Sequence, residues 1–213
     1  MARLTDEPVH LDLDLAPLKK IDTGGGAWPL QPNRQEQWAW MQNVFTPPEI
    51  KAIIAIGEVN DLDKARTGGN KSSKDRDSFV KFLFPNDATT WIFEKLSGVV
   101  TEMNARYWGF DLSGFEQGLQ FTRYEAPGQH YDWHIDAGMI TGHRKLSLTV
   151  QLSDPDDYEG GDLELRWGKD PMKANREQSM ITVFPSWTMH RVTPVTRGRR
   201  FSLVAWVSGP PFK

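Results

Sequence analysis

The sequence contains no cysteine. Disulfide scaffolds, thiol catalysis, cysteine-ligated zinc and iron–sulfur clusters are therefore excluded. It also lacks any run approaching the ~18 apolar residues of a membrane-spanning helix. A charge excess is missing too. The net charge is −3 and the pI is near 6.0, so no global field draws the chain to nucleic acid or to an anionic membrane. The opening stretch MARLTDEPVHLDLDLAPLKK mixes charged and apolar residues and has no apolar segment of the kind a secretory signal needs. With the missing cysteines, this leads to the expectation of a reducing, cytoplasmic setting. No internal repeat, heptad pattern, Gly-rich phosphate loop, GxSxG or HExxH occurs.

What is present suits a folded enzyme-sized unit. The chain has 213 residues, 38% hydrophobic and 25% charged, which can bury a core. At roughly 150 residues per domain, one domain with an extension is expected. The nine tryptophans are expected mostly in that core, with some free to line a pocket. Residues 1–42 are polar and read as an N-terminal extension, either a loose arm or a first strand, with Gly24-Gly25-Gly26 as a joint. Residues 43–213 read as a single domain with a helical front (46–108) and a β core (115–208).

The first helix is expected near Pro47. Thr46 suits the N-cap, Pro47 the first helical position and Glu49 the capping box, while Phe45 and Ile50 occupy the two places of a hydrophobic staple. Ile50, Ile53 and Ile54 keep helical spacing. A second helix is expected from about Asp87 to Trp108, capped by Asn86 or Asp87. Ile92, Leu96, Val99, Met103 and Tyr107 form its apolar face, and Gly109 ends it. Between them, DKARTGGNKSSKDRDS (63–78) has no periodicity. It reads as a solvated loop or as a flap whose Gly pair allows hinging over a site.

After Gly109 the period changes to two. Strands are expected at 117–125, 130–136, 145–153, 161–167, 179–184, 188–196 and 199–208. Pro, Gly, Asp and Ser punctuate them, as in DPDDYEGG and FPS. Short strands with no helix between them imply a mainly β chain, a double-sheet antiparallel barrel or jelly roll with the two helices on its outer face.

The chemistry concentrates in three places. YDWHID puts His134 and Asp136 two apart on an expected strand, so both point to one face. His190 follows a Pro-Ser turn on a later strand. Two imidazoles and one carboxylate on one side of an iron leave positions open for a co-substrate and O₂, as in non-haem Fe(II) oxygenases. An H-x-D pair by itself more often marks a structural hydrogen bond. The case rests on Arg200, ten residues after His190 and sharing a strand face with Ser202. A guanidinium facing a barrel interior needs an anion, because an unpaired buried cation is costly. Arg197 and Arg199 read instead as surface residues.

The motifs RYEAPGQHYDWHIDAG (123–138), LSLTVQLSDPDDYEGGDLEL (146–165) and FPSWTMHRVTPVTRGRRFSLVAW (184–206) resemble the 2-oxoglutarate- and Fe(II)-dependent dioxygenases. Within them the prolyl 4-hydroxylase-like branch is the nearer likeness, because Tyr124, Gly128 and Tyr131 ahead of His134 reproduce its YxxGxxYxxHxD pattern. The resemblance covers the chain from the helix after Phe45 to Ser208. It implies a double-stranded β-helix, or cupin-like, core. It implies His134, Asp136 and His190 as Fe(II) ligands and Arg200 as the holder of the distal carboxylate of 2-oxoglutarate. Tyr124, Ser202 and Gln151 would line the co-substrate pocket. Gln151 stands where many prolyl hydroxylases have a Tyr, and Arg200 where collagen-type enzymes often have a Lys. Tyr131, Arg144 and Trp206 occupy positions similar to substrate-pocket residues, and a core role for Trp206 stays open.

The implied reaction uses 2-oxoglutarate and O₂, with ascorbate as a reductant. It releases succinate and CO₂ and hydroxylates an unactivated C–H bond. The substrate expected is a prolyl residue in a peptide or protein, with a free amino acid or small metabolite as the alternative. No nucleic-acid or membrane partner is expected, and the chain is expected as a monomer or homodimer. A halogenase would lack the carboxylate, so Asp136 argues against one. A non-catalytic binding or sensor module would have lost part of the triad or Arg200 and would release no succinate. His130 is expected to pack or hydrogen-bond beside the site, His143 to be solvated in a loop and His10 to lie in the polar arm. Gly160 and Gly161 are expected to permit a tight turn or bulge, and Asp154–Glu159 to form a solvated turn.

Overall fold

The alternating segments after Gly109 form two antiparallel sheets facing each other. A computed structural model describes residues 35–59, 62–65, 74–115, 117–138 and 141–211. Its strands are β1 (Ala39–Met41), β2 (Asp63–Lys64), β3 (Arg76–Asp77), β4 (Phe79–Leu83), β5 (Gly114–Phe115), β6 (Leu119–Glu125), β7 (His130–His134), β8 (Arg144–Gln151), β9 (Tyr158–Gly160), β10 (Leu163–Arg166), β11 (Met172–Lys173), β12 (Ile181–Pro185), β13 (Met189–Val192) and β14 (Val195–Ser208). Helix α1 (Pro47–Glu58) precedes β2, and α2 (Thr90–Tyr107) precedes β5. The larger sheet runs β1-β12-β8-β14-β6-β4-β2, with β5 and β9 also paired to β14, and the smaller runs β11-β10-β13-β7-β3. This is the jelly-roll core expected from the sequence.

The period-two pattern separates two chemistries on the larger sheet. Leu146, Leu148 and Val150 of β8, Phe121 of β6 and Leu203, Ala205 and Val207 of β14 are buried on its outer face. There they share one apolar cluster with Ile50 and Ile53 of α1 and with Ile92, Leu96, Val99 and Met103 of α2. Burying each such side chain contributes about 1.5–3 kcal/mol, so this cluster dominates the fold's stability. Leu96 is fully buried there, and Leu96→Ala would cost about 2–5 kcal/mol. The inner face is polar. Arg200 is paired opposite Tyr124, Ser202 opposite Thr122 and Gln151, Val204 opposite Gln120 and Thr149, and Trp206 opposite Ser147. Such a lining has to serve something other than core packing.

Several boundaries differ from the sequence reading. Helix α1 begins as expected, with Thr46 as N-cap and Glu49 accepting from the Thr46 backbone N–H at 2.8 Å. Helix α2 starts at Thr90, not Asp87. The Asn86 carbonyl accepts from both Thr89 and Thr90 N–H, and the Thr89 hydroxyl accepts from Asn86 N–H at 3.0 Å, so a closed turn precedes the helix. Residues 39–41, inside the expected extension, form an edge strand on β12. Of the segment 63–78, β2 pairs with β4 and β3 with β7, while residues 66–73 lie outside the described residues. The Gly24–Gly26 joint and His10 also lie outside them. The single strand expected at 199–208 begins at Val195, and the one expected at 188–196 shortens to β13. Among the described residues, no helix is long and apolar enough to cross a membrane.

Candidate metal centre and co-substrate pocket

Register brings the two histidines together. His134 ends β7 directly opposite His190 on β13, and their ring centroids are 4.1 Å apart. Asp136 joins them in a way the sequence reading did not foresee. The strand expected to reach residue 136 stops at His134, because the N–H groups of Asp136 and Ala137 both donate to the Ser186 carbonyl at 2.9 Å. Asp136 still faces the imidazoles. Its two carboxylate oxygens lie 3.8 Å from His134 Nε2 and 3.5 Å from His190 Nε2. One ligand atom from each of the three residues lies within 4.8 Å of the others, so these three could hold one metal ion.

The surroundings prepare each donor for that task. Nδ1 of His134 is 2.7 Å from the Asp132 carbonyl, and Nδ1 of His190 is 2.9 Å from the Thr188 carbonyl. A carbonyl can only accept, so both Nδ1 atoms carry the proton and both Nε2 lone pairs face the cluster. Burial, followed by the neighbouring His190, holds the His134 imidazole well below its ordinary pKa, which keeps it a neutral ligand. Burial acts to raise the Asp136 pKa. Its two histidine neighbours and the Ser147 hydroxyl outweigh that and hold the carboxyl below its ordinary range. The Ser147 hydroxyl donates to Asp136 at 2.7 Å and lies 3.0 Å from the Ser186 hydroxyl. The Trp206 indole N–H lies beside the same carboxylate and helps lower it, without closing a hydrogen bond of standard geometry. Two imidazoles with Nδ1 tied to backbone carbonyls and an ionised carboxylate in a buried setting fit a divalent first-row ion such as Fe(II).

The triad opens into a cavity of about 980 Å³ that is also lined by Tyr124, Tyr131, Arg144, Arg200, Ser202 and Trp206. Arg200 is 2% exposed and reaches Ser202 Oγ at 3.4 Å, and its guanidinium lies 5.6 Å from the Tyr124 ring centre. Among the described residues, no carboxylate is within 4.0 Å of it. The inner face therefore holds a buried cation without an anion, which is the condition a carboxylate ligand would relieve. Gly161 makes room for it. Its φ is +63°, and a Cβ there would stand 3.0 Å from Arg200 Cδ. Gly160, with φ +69°, would place a Cβ 2.1 Å from the Pro194 carbonyl oxygen, so the tight turn expected here is required twice.

Other candidates fall into place beside this core. Gln151 does not line the large cavity. Its amide donates to the Tyr158 hydroxyl at 2.9 Å, one step behind Arg200. Tyr158 corrects the reading of 154–159 as a solvated turn, because its side chain is 1% exposed while the acidic residues around it stay outside. His130 places both ring nitrogens near backbone carbonyls, of Gly128 and Lys74, and stays out of the triad. Arg197 and Arg199 pair on the surface with Glu159 and Glu125. His143 lies in the turn before β8, half-buried. The sequence reading missed Ser147, Tyr158 and Arg76. Arg76 lies in the segment read as loop or flap, yet it is 9% exposed and lines the same cavity.

Comparison with known proteins agrees with the motifs. Residues 119–208 match the 2OG-Fe(II) oxygenase superfamily. A PKHD-type hydroxylase of Gloeothece citriformis is 40% identical over 92 residues, which are 42% of this chain and 41% of that protein. The chain spans about half the length of the first curated relatives it matches. A prolyl-4-hydroxylase structure from Pseudomonas putida aligns with TM-score 0.67 and 20% identity, covering 82% of this chain and 93% of that one. A prolyl hydroxylase from Trichoplax adhaerens, solved with a peptide fragment of hypoxia inducible factor, aligns with TM-score 0.70 and 15% identity, covering 81% and 84%. At these identities the structures establish a shared fold. The resemblance read from the motifs, and the jelly-roll core it implied, are both borne out.

Proposed function

We infer that this chain, whose residues 119–208 match the 2OG-Fe(II) oxygenase superfamily, is an Fe(II)- and 2-oxoglutarate-dependent dioxygenase. It hydroxylates an unactivated C–H bond, with release of succinate and CO₂. The observation that carries this reading is the cavity itself. It joins two imidazoles with Nδ1 tied back, an ionised carboxylate and a buried guanidinium that has no carboxylate within 4.0 Å among the described residues.

His134 Nε2, His190 Nε2 and an Asp136 oxygen would hold the iron. When bound, the iron supplies the oxygen activation that side chains cannot perform. The chain's own work is placement. Ser147 fixes the Asp136 carboxylate, and the Asp132 and Thr188 carbonyls fix the two imidazole planes. Arg200 binds the distal carboxylate of 2-oxoglutarate, with Tyr124 and Ser202 beside it. The covering walls Phe184, Leu163 and Val192 keep the reacting end dry. Tyr131, Arg144 and Trp206 form the wall left for substrate.

A prolyl residue in a peptide or protein is the substrate we propose. The YxxGxxYxxHxD spacing and the prolyl hydroxylases among the structural neighbours support it. Proline's preordered extended backbone also lowers the entropy lost on binding. The test incubates the Fe(II) protein with 2-oxoglutarate and O₂, offering proline-containing peptides beside free amino acids. Expected are succinate release and a peptide product heavier by one oxygen atom. Turnover of a free amino acid alone would transfer the assignment to a small metabolite. No succinate under any condition would leave a binding module.

A further inference from the structure

Two more arginines line the cavity beside the metal triad, and among the described residues neither has a carboxylate within 4.0 Å. Arg76 on β3 is buried, its Nε donates to Ser78 Oγ at 3.1 Å, and its Nη2 is buried without a partner. Its guanidinium lies 4.5 Å from the Tyr131 ring centre, and that ring stacks on His134 with centroids 3.5 Å apart. Arg144 approaches from β8. It lies 4.1 Å from the Trp206 ring centre, gives two N–H groups to the Asp136 backbone carbonyl and Gln117, and keeps a buried Nε unpartnered. Asp75 and Asp132 also line the cavity, but neither lies within 4.0 Å of either guanidinium among the described residues.

Charge balance shows what is missing. A divalent ion, the Asp136 carboxylate, Arg200 and doubly charged 2-oxoglutarate cancel one another. Arg76 and Arg144 then remain, and the two acids in the same lining, Asp75 and Asp132, stay beyond 4.0 Å of either guanidinium among the described residues, so a carboxylate on a ligand could pair with both arginines directly. The Tyr131 phenol lies in the field of both arginines. Planar guanidinium groups beside a phenol donor suit a carboxylate.

We propose that Arg76, Arg144 and Tyr131 form a second carboxylate-binding subsite, so that the substrate carries an acid group close to the carbon it presents to the triad. The inference rests on the dioxygenase reading above and narrows its substrate. The carboxylate comes either from the target residue itself or from an acidic neighbour in a peptide. Arg76 is then the specificity residue reached from β3, and Arg144, lying over the Trp206 ring, serves the same group.

The test uses matched acids and amides on the Mn(II)-loaded protein under anaerobic conditions with saturating 2-oxoglutarate, which keeps Arg200 occupied. Calorimetry compares N-acetyl-L-proline with N-acetyl-L-prolinamide, and acetyl-Ala-Pro-Glu-amide with acetyl-Ala-Pro-Gln-amide. In at least one pair the acid should bind tenfold or more tightly than its amide, as expected of a charge-assisted pair in a desolvated site. The pair that shows it names the carboxylate's source. Arg76→Gln and Arg144→Gln, each checked for native circular dichroism and for unchanged Mn(II) binding, should reduce that preference to about twofold. The two variants are independent, so a folding failure of one leaves the other to decide. Equal affinity within both pairs, or no binding of either acid while Mn(II) and 2-oxoglutarate bind normally, overturns the subsite. Failure of Mn(II) and 2-oxoglutarate to bind at all would overturn the dioxygenase reading beneath it.

Discussion

Gly161→Ala separates the role of Arg200 from general stability. Gly161 has φ +63°, and an added Cβ would stand 3.0 Å from Arg200 Cδ, 3.0 Å from Val195 Cγ2 and 3.3 Å from Tyr158 Cε2. A left-handed backbone costs an alanine about 1 kcal/mol, and crowding at those distances adds on the order of 1 kcal/mol. For a chain of this size each kcal/mol lowers Tm by about 2–4 °C, so the expected fall is about 4–8 °C. The functional effect should be larger than that suggests. Cδ carries the guanidinium, and Arg200 is 2% exposed, so the head group cannot relax into solvent. Misplacing it should weaken 2-oxoglutarate binding by roughly tenfold to a hundredfold. Arg200→Ala sets the upper limit, since losing a buried charge-assisted pair costs about 2–5 kcal/mol, or roughly thirty- to several-thousand-fold. Gly160→Ala is the control. Its Cβ would meet the Pro194 carbonyl oxygen at 2.1 Å, so it should lower Tm more than Gly161→Ala does and raise the 2-oxoglutarate Kd less. Calorimetry and thermal melts read all three variants. The reasoning fails if folded Gly161→Ala and Arg200→Ala bind 2-oxoglutarate within about threefold of the parent, because another residue would then hold that carboxylate.

Two further predictions concern the support of the triad and the acid stability of the fold. Ser147→Ala removes the hydroxyl that donates to Asp136 at 2.7 Å, and Mn(II) affinity should fall by about tenfold to a hundredfold while the fold persists; an unchanged titration would show that the hydroxyl does not orient the carboxylate. Glu49, held at about 2 chiefly by its Lys95 partner and then by the Thr46 backbone, has a folded pKa below its ordinary 4.5. The folded state is thus the weaker proton acceptor, and this contribution to stability is present above pH 4.5 and lost as pH falls toward 2. Denaturant melts should show Glu49→Gln with a shallower acid decline than the parent, and added salt should narrow the difference because the pair is exposed. Equal slopes would contradict the pairing.

The sequence made the fold class legible because its apolar period changes once, at Gly109, and each period matches one packing problem. Helices had to cover one side of a sheet, and the outward Leu146, Leu148 and Val150 declared which side. The triad was legible because each ligand sits beside local punctuation, the H-x-D pair ending β7 and the Pro-Ser turn before His190. What stayed hidden depended on partners far along the chain. Arg76 lies on a two-residue strand whose register is set by β7, some fifty residues on, and two residues carry no period. Tyr158 sits in an acidic run, and only the pairing of β9 with β14 turns its ring inward toward Gln151. The end of β7 at His134 was set by Ser186, which draws Asp136 off the strand without moving it from the histidines.

The central claim is that His134, Asp136 and His190 hold one divalent ion that works together with Arg200. Anaerobic titration of the metal-free protein with Mn(II), in the presence and absence of 2-oxoglutarate, tests it most directly. The account predicts one ion per chain, tighter binding when 2-oxoglutarate is present, and loss of metal binding in Asp136→Ala and His190→Ala proteins that retain native circular dichroism. Folded Asp136→Ala and His190→Ala proteins that bind Mn(II) as tightly as the parent would contradict it.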